Sequence, residues 1–589
     1  MKPSRTWYPL TGAVTPSRRG VAAVPKRKGP VDPLAGPRLA VAGRVATVDD
    51  AFTVRADGIV YVDKGRLAAV LDRAEAAPAG FQGVDVVETG GTIFPGLIEL
   101  HNHLSYNALP LWAPVPKRFE HRGQWPDFRD YRPMISGPMT VIGEDRDADG
   151  QPALPPALVR YVECKCLLGG VTTSQGVMLA SNSGIRRFYR GVVRNVEQTG
   201  DAELPEARGR IADVDARDAR RFLSQLRKEN SCLLLHLSEG VTDPMRADSV
   251  ARRHFLALEI APDEWALDDV FTGIHASGLL PEDFDVLARR HGSMVWSPLS
   301  NLLLYGGTAR VDAARAAGVR IGIGSDWSPT GSKNLLGELK VAWLHSQHAL
   351  DGLFTARDLL AMATRDAARI LKWGDALGSL EAGKRADLLV IAGRSGDAHE
   401  ALLHARETDI RLVMINGVAR YGATTLMAAL APPDQTVRVG GEPRRLFLKQ
   451  ETGDPDVAAM PLAAATESLR DALLDIVRLA KKAEAPRPAS AKRRLLDAAA
   501  RPVWSLALDE IHDRGVEMRA RLPFNGPRDF TGPDRAAGAP ARASAPLSSI
   551  LKPIPLDPLT VADDEDFLDA IEAQPNVPPA IRNGLRGLY

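Results

Sequence analysis

Histidines one residue apart at the end of an apolar run are the first candidates for chemistry in this chain. Gly91-Thr-Ile-Phe-Pro-Gly-Leu-Ile-Glu-Leu-His-Asn-His103 reads as a short strand over Ile93 to Leu100 that ends in His101 and His103. Side chains at i and i+2 of a strand share a face, so both rings can reach one point from a rigid backbone. Two neutral imidazoles aimed at one point make half of a zinc-type site. Such a pair alone is more often polar surface or strand packing than a metal site, so the rest of the chain must supply the other half. Three further apolar runs stop at a metal-compatible group: Cys232-Leu-Leu-Leu-His-Leu-Ser-Glu239, Val270-Phe-Thr-Gly-Ile-His275 and Val319-Arg-Ile-Gly-Ile-Gly-Ser-Asp326.

Strands that each end in a catalytic group must be held side by side, and a parallel α/β barrel does this at the carboxyl ends of its strands. A strand-plus-helix unit takes roughly 30 residues. The intervals from His103 to His236, His236 to His275 and His275 to Asp326 then fit four units, one unit and two short ones. That places the groups on strands 1, 5, 6 and 8 of eight. Strand 2 is expected at Val171–Gln175, strand 3 at Gly191–Asn195, strand 4 at Gly209–Asp213 and strand 7 at Ser293–Ser297. Helices fall between, for example Ala216–Glu229. Regular alternation of strand and helix is the pattern of such a fold.

These residues resemble the amidohydrolase superfamily of metal-dependent hydrolases. The likeness is carried by Pro95-Gly-Leu-Ile-Glu-Leu-His-Asn-His103, Gly170-Val-Thr-Thr173, His236-Leu-Ser-Glu239, His275, Ser297-Pro-Leu-Ser-Asn301, Gly324-Ser-Asp326 and Gly378-Ser-Leu-Glu-Ala-Gly-Lys-Arg-Ala-Asp-Leu-Leu-Val390. The His-x-x-Glu spacing is most similar to the deaminase and triazine-chlorohydrolase branch. The resemblance implies His101, His103, His236 and Asp326 as ligands of one divalent ion, zinc first, with iron or manganese as alternatives. It also implies Asp326 as general base, Glu239 as substrate contact and proton shuttle, and His275 as the group that polarises the bond under attack. Asn301 and the loop Gly331–Asn334 are candidates for substrate contact, or simply turn and cap residues. Branches with two ions use a lysine on strand 4; none stands near Ile211–Asp213, and Lys228 falls in the following helix, so one ion is expected. The implied reaction is attack of water on a carbon–nitrogen, non-peptide bond of a small molecule: a ring amino group, an amide or a cyclic amide. The same constellation also supports dehalogenation. The rival reading is a non-catalytic barrel scaffold whose function lies in its terminal extensions.

The 589 residues divide accordingly. Residues 1–36 read as a flexible, basic, Pro/Gly-rich arm. Residues 37–92 and 373–425 read as a small discontinuous β-sandwich, 93–372 as the (β/α)8 TIM-type barrel, and 426–589 as a C-terminal extension, partly helical and partly proline-rich. In the extension, Ala465–Leu479 has amphipathic helical spacing, and Asp563-Asp-Glu-Asp566 reads as a solvated helix start. The loop after His103 is long and aromatic, with Tyr106, Trp112, Phe119, Trp125, Phe128 and Tyr131; it reads as a pocket wall or as a self-packed surface loop. His345, His348, His121 and His254 are weaker candidates, the first two read as structural.

Composition narrows the partners. With 74 Lys+Arg against 73 Asp+Glu the net charge is +1, which gives no electrostatic address for nucleic acid or an anionic membrane. No apolar run reaches the roughly 18 residues of a membrane span, and no secretory signal pattern follows the basic N-terminus. Three cysteines, Cys164, Cys166 and Cys232, fit a reducing cytoplasm better than a disulfide framework. Cys164 and Cys166 read as helix residues, since no second pair completes a metal site. A small-molecule substrate is expected, and a homo-oligomer is possible by analogy.

Overall fold

The computed structural model describes residues 34–126, 128–147, 152–181, 186–210, 216–246, 249–432, 434–450, 453–485, 504–508 and 545–589. The arm expected over 1–36 therefore lies almost wholly outside the described residues, as does the end of the strand expected at Gly209–Asp213.

Short β-branched runs separated by turn residues build the first element, a nine-stranded sheet. Its order is Gln435–Val439, Glu442–Leu446, Val418–Ala423, Ile410–Ile415, Leu388–Ala392, Val86–Pro95, Leu39–Ala46, Val54–Asp63 and Arg66–Asp72. Leu39–Ala46 is buried along its whole length, as a central strand covered on both faces must be. The chain leaves this sheet after Pro95 and returns at Leu388, where Leu389 pairs with Phe94. Ile410–Ile415 and Val418–Ala423 form a hairpin across Asn416-Gly417, both left-handed (φ 48° and 72°), the geometry that favours Asn-Gly in a two-residue turn. The sheet runs on to Leu446, so the extension expected from residue 426 begins with two of its strands.

The site-bearing strands are all parallel to their neighbours. Leu97–Ile98, Val171–Ser174 and Arg194–Asn195 form one three-stranded sheet. Arg208–Arg210, Leu233–Leu237, Phe271–His275, Ser293–Trp296 and Arg320–Ile323 form a five-stranded one. Backbone bonds reach between the two: Ala207 N–H to Val196 O at 2.8 Å on one side, and Leu100 N–H to Ile323 O at 3.4 Å on the other, beside a parallel bridge of Asn102 with Asp326. Ile98, Leu234, Ile274 and Val295, from four of these strands, meet in one buried cluster with Ile370, Leu371 and Trp373.

Three expectations need correction. The single strand over Ile93–Leu100 is two: Val86–Pro95 belongs to the nine-stranded sheet and Leu97–Ile98 to the three-stranded one. The hinge is Gly96, where a Cβ would lie 2.4 Å from Thr172 Cγ2, so only glycine permits the approach. The helix over Ala465–Leu479 is also two, Leu462–Leu474 and Ile476–Glu484, meeting at Asp475 (φ −106°, ψ 24°). The break lets the first half pack on helix Pro155–Leu168 and the second on Gly137–Glu144 and Leu547–Ile550. The acidic run 563–566 opens helix Phe567–Glu572 with Asp563, Glu565 and Asp566 exposed, but Asp564 is half-buried: it accepts from Phe567 N–H at 3.1 Å, and its other oxygen lies 2.6 Å from Lys333 Nζ. Among the described residues no helix is long and apolar enough to cross a membrane.

Candidate metal and catalytic centre

Each expected chemical group sits where a strand gives out. Leu234 and His236 lie two apart on Leu233–Leu237, so they share a face; the first enters the core and the second faces the site. Gly324 follows strand Arg320–Ile323, and a Cβ there would meet His101 Cβ at 2.6 Å, so this glycine lets the Asp326 turn close on the histidine pair. His275 and Asp326 both hold left-handed backbone (φ 68° and 61°), a conformation non-glycine residues adopt at a cost of about 1–3 kcal/mol. It turns both side chains inward at the strand ends.

The structure brings His101, His103, His236, His275, Asp326, Glu239 and Asn301 together, all buried except the half-buried His103. Two donor groups share His101: His101, His103 and His236, and His101, His275 and Asp326, each with its ligand atoms within 4.8 Å of one another. His236 Nε2 is 3.2 Å from His103 Nε2. Asp326 Oδ1 is 3.1 Å from His101 Nε2 and 3.4 Å from His103 Nε2. Burial holds His236 and His275 well below the usual histidine range, with the neighbouring imidazoles adding to it and, at His275, Asp326 opposing it, so both stay in the neutral form a metal needs. Burial alone would raise Asp326, but His101, His103 and His275 outweigh it and hold the carboxyl well below its usual range.

Proton positions follow from donor-only partners. Gln175 Oε1 takes both His101 Nδ1–H (3.1 Å) and Asn102 N–H (3.0 Å), which leaves His101 Nε2 as a lone pair. That lone pair faces an Asp326 oxygen. Acceptor against acceptor at this distance is repulsive, and a shared cation resolves it. The spacings match too, since donors about 2.0–2.1 Å from a tetrahedral ion stand about 3.3 Å apart. The residues present therefore fit a divalent ion.

His275 comes out with the opposite tautomer. Trp296 Nε1–H donates to Thr308 Oγ1 (2.8 Å), so the threonine hydroxyl donates to Asn301 Oδ1 (3.3 Å), and Asn301 Nδ2 donates to His275 Nδ1 (3.0 Å). The proton of His275 is thus on Nε2, 3.8 Å from Glu239 Oε2. By the same logic Trp125 Nε1–H donates to Tyr305 Oη (3.0 Å), and the phenol hydrogen goes to Glu239 Oε1 (2.6 Å). Burial pushes the Glu239 carboxyl up to about 7, with Arg122 opposing and Asp326 adding to the rise. The second Asp326 oxygen accepts from Ser300 Oγ at 2.6 Å.

Not every candidate joins the cluster. Asn334 caps helix Leu335–Ala349 and Lys333 pairs with Asp557 and Asp564, so the loop Gly331–Asn334 takes the turn-and-cap reading. His345 packs on Trp296, and His348 is exposed near the end of the same helix. His254 accepts from Ser238 N–H at 3.1 Å and so supports the turn between His236 and Glu239. His121 bridges Gly240 through its backbone. Cys164 and Cys166 are buried in helix Pro155–Leu168, and burial raises both thiols. The aromatic loop packs on itself, Trp112 against Phe119, Phe128 and Tyr131, with Trp112, Trp125 and Tyr131 buried, and Trp125 and Tyr131 also meet Trp327 beside Asp326. Sequence reasoning missed Tyr305 and Thr308, and it named Gln175 and Trp125 only as a strand end and a member of the aromatic loop. Ser300 lay inside the Ser297–Asn301 motif; Gln175 ended the expected strand 2; Tyr305 and Thr308 carried no signal of their own.

Imidazoles and carboxylates gathered at the ends of parallel strands, with a protonatable glutamate beside them, are the working parts of a metal-dependent hydrolase. An amidohydrolase-family model matches residues 220–420. A 5-methylthioadenosine/S-adenosylhomocysteine deaminase of Symbiobacterium thermophilum is 37% identical over 394 residues, spanning 59% of this chain and 84% of that protein. The protein of the same description from Moorella thermoacetica is 26% identical over 411 residues, spanning 63% of this chain and 92% of its own. The crystal structure of a zinc-bound adenosine deaminase from Xanthomonas campestris shares the mixed α/β fold, with a TM-score of 0.51 at 20% identity over 74% of this chain and 97% of that one. The chain belongs to the amidohydrolase family.

Proposed function

We propose that this protein is a deaminase that replaces the exocyclic amino group of a purine nucleoside or a related aminated heterocycle by oxygen. The observation that carries the reading is the pair of oriented protons on one side of the donor cluster. Tyr305 donates to a Glu239 carboxyl poised at about 7, and His275 presents Nε2–H beside it. A ring nitrogen must gain a proton as its neighbouring carbon is attacked, and a carboxyl near pH 7 is suited to giving it. The deaminase relatives support the same choice over amide hydrolysis or dehalogenation.

His101, His103, His236 and Asp326 would hold one divalent ion, zinc by this donor set, which when bound supplies Lewis acidity and lowers the pKa of a water towards neutrality. Asp326 takes a proton from the attacking water. Glu239 gives its proton to the ring nitrogen, and His275 Nε2–H donates to the oxygen joining the carbon. The carbon–nitrogen bond then breaks, ammonia leaves with the proton Asp326 took, and the hydroxyl left on the carbon returns a proton to Glu239. The balance is ring N=C–NH2 plus water to ring HN–C=O plus ammonia.

The frame proposed for this chemistry is a closed (β/α)8 barrel over about residues 93–372, joining the two parallel sheets. The Asn102–Asp326 bridge and the Ala207 to Val196 bond support closure on both sides. Residues 37–92 and 373 onward to Leu446 form the discontinuous β domain in this reading, with the extension after it. Incubating the zinc-loaded full chain with 5′-methylthioadenosine and S-adenosylhomocysteine tests the function: ammonia should appear in step with loss of the adenine chromophore. Hydrolysis of amides or ureas, with no ammonia from any aminated ring, would overturn it.

A further inference from the structure

Residues 545–589 lie beyond the 220–420 that the family model matches, yet they reach into the site's supports. Asp557 is buried with both oxygens engaged: one pairs with Lys165 Nζ and the other with Lys333 Nζ, which also pairs with Asp564. Its backbone is held as well, by Asp557 N–H to Ala108 O (3.0 Å) and Tyr161 Oη to Asp557 O (2.6 Å).

From Lys165 the network runs to both halves of the donor cluster. Lys165 Nζ donates to Ser328 Oγ (2.7 Å) and Asn107 O (3.1 Å). Asn107 Oδ1 accepts Ser328 N–H (3.0 Å), and Asn107 Nδ2 donates to Asn102 Oδ1 (2.9 Å). Asn102 Nδ2 donates in turn to Ser325 Oγ (3.2 Å). Asn102 stands between His101 and His103, while Ser325 and Ser328 flank Asp326. Every link is buried, and the chain of bonds touches both ligand-bearing loops.

We propose that Asp557 is a positioning residue for the metal centre. The C-terminal segment delivers a carboxylate that, through Lys165, fixes the separation between the loop carrying His101 and His103 and the loop carrying Asp326. The inference rests on the metal-site reading above. It assigns the extension a task in this chain: completing a support that the strand ends do not build alone.

The test uses full-length Asp557→Asn and Ser328→Ala variants, their double variant, and Arg586→Gln, an exposed ion pair within the same segment. Zinc affinity by chelator competition and the visible bands of the cobalt(II)-loaded protein are read at a temperature where each variant keeps the wild-type circular dichroism. Asp557→Asn should weaken zinc binding about tenfold and shift the cobalt bands, the order seen when outer supports of a metal site are removed. Ser328→Ala should act in the same direction, the double variant should add little, and Arg586→Gln should match wild type. Should Asp557→Asn not fold, Ser328→Ala, which keeps the ion pair, decides alone. A lowered melting temperature with unchanged affinity and bands would overturn the proposal, leaving Asp557 a fold-holding residue only. Failure of the wild-type chain to bind cobalt at all would overturn the metal-site reading, and this inference with it.

Discussion

Two buried charged clusters lie within a few residues of each other, and they are built on opposite terms. Around Asp557 every charge is matched. Lys165 spends its three donors on Asp557, Ser328 and Asn107, and Lys333 sits between two carboxylates. Around Asp326 the matching is incomplete: a histidine lone pair faces a carboxylate oxygen, the backbone is left-handed at His275 and Asp326, and the Glu239 carboxyl is pushed up to about 7. A satisfied network rigidifies, whereas an unsatisfied one keeps binding capacity for an ion and a substrate. The contrast separates a clamp from an active site by chemistry rather than by position.

The sharpest way to break the contrast is to neutralise one carboxylate on each side. Asp326→Asn should cut turnover of an aminated heterocycle by about 10³–10⁴-fold, read as kcat at saturating substrate, with the fold intact by circular dichroism. Glu239→Gln should cost about 10²–10³-fold. Because Glu239 works protonated and titrates at about 7, wild-type kcat/KM should fall as pH rises through about 7, and that limb should vanish in Glu239→Gln. On the clamp side, Asp557→Asn strands a buried lysine. It should lower unfolding stability by about 3–5 kcal/mol in denaturant titration, while activity falls by only about tenfold. The smallest effect is expected for Tyr305→Phe. Losing its bond to the carboxylate removes a contact that holds the Glu239 pKa down, so the alkaline limb should move to higher pH with kcat within about tenfold of wild type.

The half of the picture that lies at strand ends was legible in the sequence. His101, His103, His236, His275 and Asp326 each close a short apolar run, and a continuous apolar run with a polar terminus is a local signal of a strand covered on both faces. Glu239 was legible through its spacing from His236. What escaped depends on the third dimension. Tyr305 and Thr308 look like ordinary helix and loop residues until Trp125 and Trp296, donors that cannot accept, force the direction of their hydrogen bonds. Gly96 breaks the first strand because of Thr172, which lies far along the chain. Asp475 breaks a helix whose spacing was continuous, because its two halves have different partners to pack on. Asp557 carries no pattern at all; it is one acid in a proline-rich stretch, and only burial against two lysines gives it a role.

Metal content of the purified protein, beside a His101→Ala/His103→Ala variant, tests the central claim most directly. One equivalent of a divalent ion per chain, zinc foremost, lost in the variant, is the predicted result. Two equivalents, or none even after zinc is supplied, would contradict the single-ion centre on which the account stands.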